Sequence, residues 1–344
     1  MSTANLDHTD ANAALLGGVI REEVMDKIWQ IDKFPLPLTD MCSKGTHSNQ
    51  KIEYTTDEFA AAVDDNMVTD GADIDQDDSK VGLRVANFTQ TSVKSVRVST
   101  RANAANSIGR QATLSYQVSQ RQKELRRDVE MQMCGAQASL AGDAGVADTP
   151  GQSAGLGAWI ETNTVGGVGF VAGGFNTGTG VIDAPTFGTP AAISETMIKD
   201  IMQAIYMEGG EGTFLMARPE VIRLISEFFF TDTAKAASMV NDNLSGTAKA
   251  TAYASTNVIV TDFGTLTLLP NRLQGITAAD SSTAYILDPK HLKQSFLTGY
   301  RVEPLAKTGL SEKRLMSVDY SLCVLNEKSQ GAIFDVSHLD AMVA

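Results

Sequence analysis

Cysteine and histidine are both scarce in this chain. The three cysteines, Cys42, Cys134 and Cys323, are isolated and odd in number, so neither a disulfide framework nor a CxxC zinc site is available. Packed thiols are expected instead. The four histidines, His8, His47, His291 and His338, lie outside helical reach of one another and of any cysteine, which removes a His-based metal centre. Apolar runs are too short to cross a bilayer, so no membrane partner is expected. The start MSTANLDHTDANAALL lacks the pattern of an export signal, and synthesis in a reducing cytoplasm is the expectation. Bases are outnumbered as well: 28 Lys and Arg against 41 Asp and Glu give −13, which disfavours a protein whose main task is gripping phosphate backbones.

What is present is ordinary in amount and unusual in arrangement. Hydrophobic residues at 43% and 344 positions support two packed units or one elaborated domain. Residues 52–79 hold ten carboxylates (Glu53, Asp57, Glu58, Asp64, Asp65, Asp70, Asp73, Asp75, Asp77, Asp78) and no base. Residues 80–127 then hold ten bases, among them Arg121, Lys123, Arg126 and Arg127, against the single acid Glu124. Blocks of opposite sign either stay solvated or find each other across a contact.

Periodicity predicts a helix over Ile20–Ile31 and strands at 51–56 and 83–100 that bracket the acidic stretch as two arms of a long hairpin. A long helix is expected over Ala112–Ala138, with Leu114, Val118, Leu125, Val129 and Met133 on one stripe. Residues 142–188, with 13 of the 29 glycines, read as irregular structure or a weak hairpin. Beyond them the pattern is mixed: helices at 194–208 and 219–230, a buried strand at 213–217, a hairpin at 258–269 and a strand at 284–287. Met316, Val318, Tyr320, Leu322 and Val324 alternate with polar residues, as in a strand with one buried face. No period of 20–50 residues repeats.

Motifs for chemistry are missing or spoiled. Asp73, Asp75 and Asp77 have calcium-loop spacing, but Asp78 stands where glycine is required and Arg84 where glutamate should chelate. Gly167, Gly169 and Ala172 fit a dinucleotide fingerprint whose following residues, GGFNTGTG, cannot open a helix. Asp288 and His291 read as a turn at Asp288-Pro289 rather than a relay pair. No catalytic, cofactor or metal residue is expected, and an enzyme is not supported.

The strings FPLPLTDMCSKG (34–45), ELRRDVEMQMCGAQAS (124–139), GLGAWIETN (155–163), TDFGTLTLLPNR (261–272) and LAKTGLSEKRLMSVDYSLCVLNEKSQGAI (305–333) resemble, in order, major capsid proteins of tailed bacteriophages, the group related to the phage SU10 capsid protein. The resemblance implies an α+β HK97-like capsid fold: N-terminal arm (1–50), E-loop hairpin and flanking strands (51–106), peripheral domain with long spine helix and Gly-rich loop (107–189), axial domain (190–294) and C-terminal strands of the peripheral domain (295–344). It also implies self-assembly as hexamers and pentamers into an icosahedral virion shell around double-stranded DNA, formed in the host bacterial cytoplasm. A portal and a separate scaffolding protein are implied partners, a decoration protein an optional one. An encapsulin-like compartment of the same fold is the alternative. With the E-loop laid over an adjacent subunit, Asp70, Asp73, Asp75, Asp77 and Asp78 are expected to face Arg121, Lys123, Arg126 and Arg127.

Overall fold

The computed structural model describes residues 28–31, 35–65, 67–71, 73, 82–105, 113–143, 148–228, 258–275 and 281–337. In chain order the elements are α1 (Pro37–Met41), β1 (Ser43–Thr46), β2 (Lys51–Thr56), β3 (Leu83–Phe88), β4 (Gln90–Ser99), α2 (Thr100–Ala104), α3 (Thr113–Met133), α4 (Leu156–Trp159), β5 (Thr164–Val165), β6 (Gly174–Asn176) and β7 (Val181–Asp183). There follow α5 (Glu195–Met207), β8 (Phe214–Ala217), α6 (Pro219–Phe228), β9 (Val258–Thr261), β10 (Gly264–Pro270), β11 (Ser281–Leu287), β12 (Leu292–Leu305), β13 (Ser311–Val324) and β14 (Gly331–Ser337).

Two sheets organise the molecule. The first has the order β1-β12-β13-β4, with β12 and β13 as long antiparallel partners and β1 added in parallel at one edge. Val96, Val98, Met316, Val318, Tyr320, Leu322 and Val324 lie in the same buried cluster as Leu125, Val129 and Met133 of α3. A period of two on the strands thus meets a period near four on the helix, which is the condition for a helix to lie on a sheet. The alternation in β13 has a second outcome, because Ser317, Ser321 and Cys323 on the opposite face are also buried. Ser153, from the glycine-rich segment, lies against this strand: its hydroxyl is 3.4 Å from that of Ser321 and accepts from Leu322 N at 3.2 Å.

The second sheet, β5-β14-β11-β8-β10-β9, is a wall between two cores. Leu215, Ala217, Ala284, Ile286 and Ile333 belong to the cluster of α5 and α6, whereas Met216, Tyr285, Leu287, Ala332 and Phe334 belong to that of α3. Strands buried on both faces carry near-continuous apolar runs, as β8 and the Ala284–Leu287 part of β11 do. α5 starts at an N-cap, Ser194, whose hydroxyl accepts from Met197 N, and its Ile198, Ile201, Met202 and Ile205 are buried.

Three expectations need correction. The long helix ends at Met133, not Ala138, because the chain turns at Cys134-Gly135. A Cβ on Gly135 would sit 3.2 Å from Gln132 C=O and would displace the Gln137 side-chain amide. The stretch 83–100 breaks at Thr89: β3 pairs with β2 alone, while β4 joins the first sheet. The helix expected over Ile20–Ile31 lies mostly outside the described residues, and Ile28–Ile31 are not helical. The glycine-rich segment is irregular with a short β6–β7 hairpin, as expected, but it also supplies core through Leu156, Trp159, Ile160 and Ile182. Asp335, buried at φ 55°, fastens it by accepting from Gly167 N and Gly188 N at 3.2 and 2.8 Å.

Candidate self-assembly surfaces

The β2–β3 hairpin is rooted by side chains that replace strand partners. β4 pairs with β13 only as far as Tyr320, which leaves the next backbone groups of that edge open. Leu322 C=O accepts from Asn87 Nδ2 at 2.7 Å, and Val324 C=O accepts from the Tyr54 hydroxyl at 2.7 Å. The buried Asn87 also accepts from Ala154 N at 3.0 Å, and Tyr54 stacks on Trp159 at 6.1 Å. His47 bridges Ser295 and Thr89 through its two ring nitrogens, at 2.9 and 3.1 Å, and burial lowers its pKa. A two-stranded hairpin is marginal by itself, so these contacts give the projection a direction.

Past Thr56 the chain is exposed. Phe59, Val63, Met67 and Val68 present large apolar side chains to solvent within ten residues. The acids nearest the root find partners in the same subunit: Glu53 pairs with Lys51 at 3.0 Å and with Arg84, and Glu58 pairs with Lys328 at 2.6 Å. The Lys51 hydrogen bond, with the Arg84 charge, holds the Glu53 carboxyl below its usual range. Lys328 also reaches Glu208 at 3.2 Å, and its carboxylate partners raise its pKa. Asp70 and Asp73 are exposed; Asp75, Asp77 and Asp78 lie outside the described residues.

Within the subunit the opposing bases have neighbours of their own. Arg121 pairs with Glu124, one helical turn along α3. Arg126 stands over the Tyr300 ring at 5.3 Å. Lys123 is half-exposed, and Arg127 is half-buried with no acceptor for its Nε among the described residues. The structure therefore gathers the four bases on α3 and does not bring Asp70 or Asp73 to them in ion pairs among the described residues.

Two further surfaces were not legible in the sequence. Ile28, Trp29 and Ile31 are exposed beside α3, where Gln30 donates to Gln120 at 2.6 Å. At the far edge of the second sheet, Val258 and Val260 of β9 are exposed, as are Tyr206 and Met207 of α5 and Phe263 in the β9–β10 turn, with the Tyr206 and Phe263 rings 5.5 Å apart. Their signal is relational: each reads as ordinary core material until the topology leaves it uncovered. Among the described residues, no group of three or more His, Cys, Asp or Glu side chains is gathered to hold a metal ion. Asp288 accepts from Lys290 N as the cap of a 3-10 turn, with its other oxygen 3.7 Å from His291 Nε2. All three cysteines are free and buried.

A sheet crossed by a long helix, a rooted projecting hairpin and a second helix-covered sheet define the HK97-type capsid fold. The capsid of the cyanophage A-1(L) superposes with a TM-score of 0.64 at 10% identity, covering 93% of this chain and 98% of that one. The capsid of the native GTA particle gives 0.57 at 12% identity, over 95% and 99%. The holo-SrpI encapsulin of Synechococcus elongatus PCC 7942 gives 0.54 at 10% identity, over 92% and 93%. The SU10 major capsid protein family matches residues 3–337, and the chain belongs to that family. The major capsid protein of Escherichia phage Phieco32 is 30% identical over 102 residues, a match spanning 30% of this chain and 29% of that protein.

Proposed function

We propose that copies of this chain assemble as hexamers and pentamers into an icosahedral shell that encloses double-stranded DNA, formed in the host cytoplasm with a separate scaffolding protein and a portal. The observation that carries this reading is the family match across residues 3–337. It also favours a phage shell over an encapsulin compartment, whose likeness here is one of fold. The exposed apolar residues of the hairpin, the arm segment and the β9 edge support it, since such residues in one subunit are candidates for burial against another.

Contact between the hairpin and a neighbour's α3 is part of the proposal. Exposed Asp70 and Asp73, with Asp75, Asp77 and Asp78, approach the neighbour's Arg121, Lys123, Arg126 and Arg127, while Phe59 and Val63 supply apolar area. Cryo-electron microscopy of the chain co-expressed with the scaffolding protein tests the whole reading. Closed shells with fivefold vertices, holding nuclease-protected DNA when packaging components are present, are expected. Small oligomers at high concentration, or shells filled with a specific cargo protein, would overturn it.

A further inference from the structure

Glu130 is fully buried on α3, and its carboxylate is held by donors from separate parts of the chain. Leu38 N and Thr39 N donate at 2.8 and 2.7 Å, with the Thr39 hydroxyl donating as well. Asn271 Nδ2 donates at 2.9 Å, to the same Oε1 that accepts from Leu38. Cys134 Sγ, one helical turn along, lies 3.8 Å away. Each donor answers a specific need. α1 begins at Pro37 and its N-cap, Leu36, offers no side-chain acceptor, so the first amides of this helix would be orphaned without Glu130. A buried carboxylate in turn requires several donors, because leaving it short of them costs several kcal/mol.

The donors belong to elements that are otherwise far apart in sequence. α1 leads directly into β1, the parallel edge strand on β12, where Ser43 donates to Leu292 C=O at 2.9 Å and Lys44 to Gln294 at 2.8 Å. Asn271 follows the last residue of β10; its own N–H donates to Ala217 C=O at 2.9 Å and its Oδ1 accepts from Leu273 N at 2.9 Å. A planar carboxylate cannot turn to follow one donor without leaving the others.

We propose that Glu130 is a latch coupling the seat of the arm anchor, residues 37–46, to the end of β10, so that loosening either side loosens the other. In the shell, this would link the setting of the N-terminal arm to that of the second sheet; that consequence rests on the proposed function, whereas the latch is a property of the subunit alone.

Hydrogen exchange read by mass spectrometry on the dissociated full-length subunit tests it without reference to assembly. In Asn271→Ala, which replaces a residue not hydrogen-bonded to 37–46, the amides of 43–46 are expected to exchange about ten-fold faster, with β13 unchanged. In Thr39→Val, the reciprocal effect is expected at 271–275, since coupling between two sites acts equally in both directions. Glu130→Gln, which places a donor where an acceptor is needed, should accelerate both segments. Failure of either Asn271→Ala or Thr39→Val to transmit its effect would overturn the latch. Because those two variants keep the Glu130 side chain, they decide the matter even if Glu130→Gln loses protection in β13 and so fails to fold.

Discussion

Asn87, on β3 at the hairpin root, reaches β13 and the Ser153–Ala154 segment and makes its four contacts with no exposure at all. Removing its amide would strand Leu322 C=O and Ala154 N inside the protein. Asn87→Ala is therefore expected to cost ~2–4 kcal/mol, visible as a lower denaturant midpoint in equilibrium unfolding of the subunit. The thiols make a second case. Burial pushes Cys42 and Cys323 up to about 12 and raises Cys134 too. A thiol whose folded pKa exceeds its unfolded value adds stability below the unfolded value and loses it as pH rises toward the folded one. From the ordinary value of 9.0 to about 12, stability should thus fall with pH, measurable by chemical denaturation at pH 7 and pH 10. At pH 8 the native subunit should show no reaction with a thiol reagent until it is unfolded.

Elements act through where they put charge. The acidic stretch is partly neutralised at its root by Lys51, Arg84 and Lys328, whereas Asp70 and Asp73 further out are exposed. Exposed pairs are worth only ~0.2–1 kcal/mol each and weaken in salt, but the proposed contact, repeated through a shell, would bias register. Reversing Asp73, Asp75, Asp77 and Asp78 to Lys should reduce particle yield while circular dichroism stays that of a folded subunit. Arg126→Glu with Arg127→Glu should partly restore the yield. Normal yield from the four-fold reversal at low salt would mean that this loop is only solvated. Because Arg126 already packs on Tyr300 and Arg121 pairs with Glu124, the rescue is expected to be incomplete.

For the whole molecule, the expectation is a shell held by non-covalent contacts. Three buried cysteines cannot meet across subunits without unfolding, and their raised pKa values keep them in the unreactive protonated form. Denaturing electrophoresis of mature particles without reductant should therefore give one band at the monomer mass. A ladder of multiples would contradict it. The two cores on either side of the second sheet share strands β8, β11 and β14, so the subunit should unfold in one transition rather than two.

The sequence by itself determined much of this. Local periodicity was enough for β13, α5, the β9–β10 hairpin and most of α3, because a stripe of Leu125, Val129 and Met133 or an alternation from Met316 to Val324 is a local pattern with one favourable geometry. The family strings then supplied the fold that periodicity alone could not. The tertiary structure decided what depends on distant neighbours. It showed that the stretch 83–100 splits at Thr89, since only the arrangement of β2 and β13 gives β3 and β4 different partners. It placed Glu130, an ordinary charged residue of an amphipathic helix by its sequence, at the meeting of Leu38, Thr39 and Asn271. Burial and hydrogen-bond satisfaction are properties of surroundings built from residues about 90 and 140 positions away, and no local pattern encodes them.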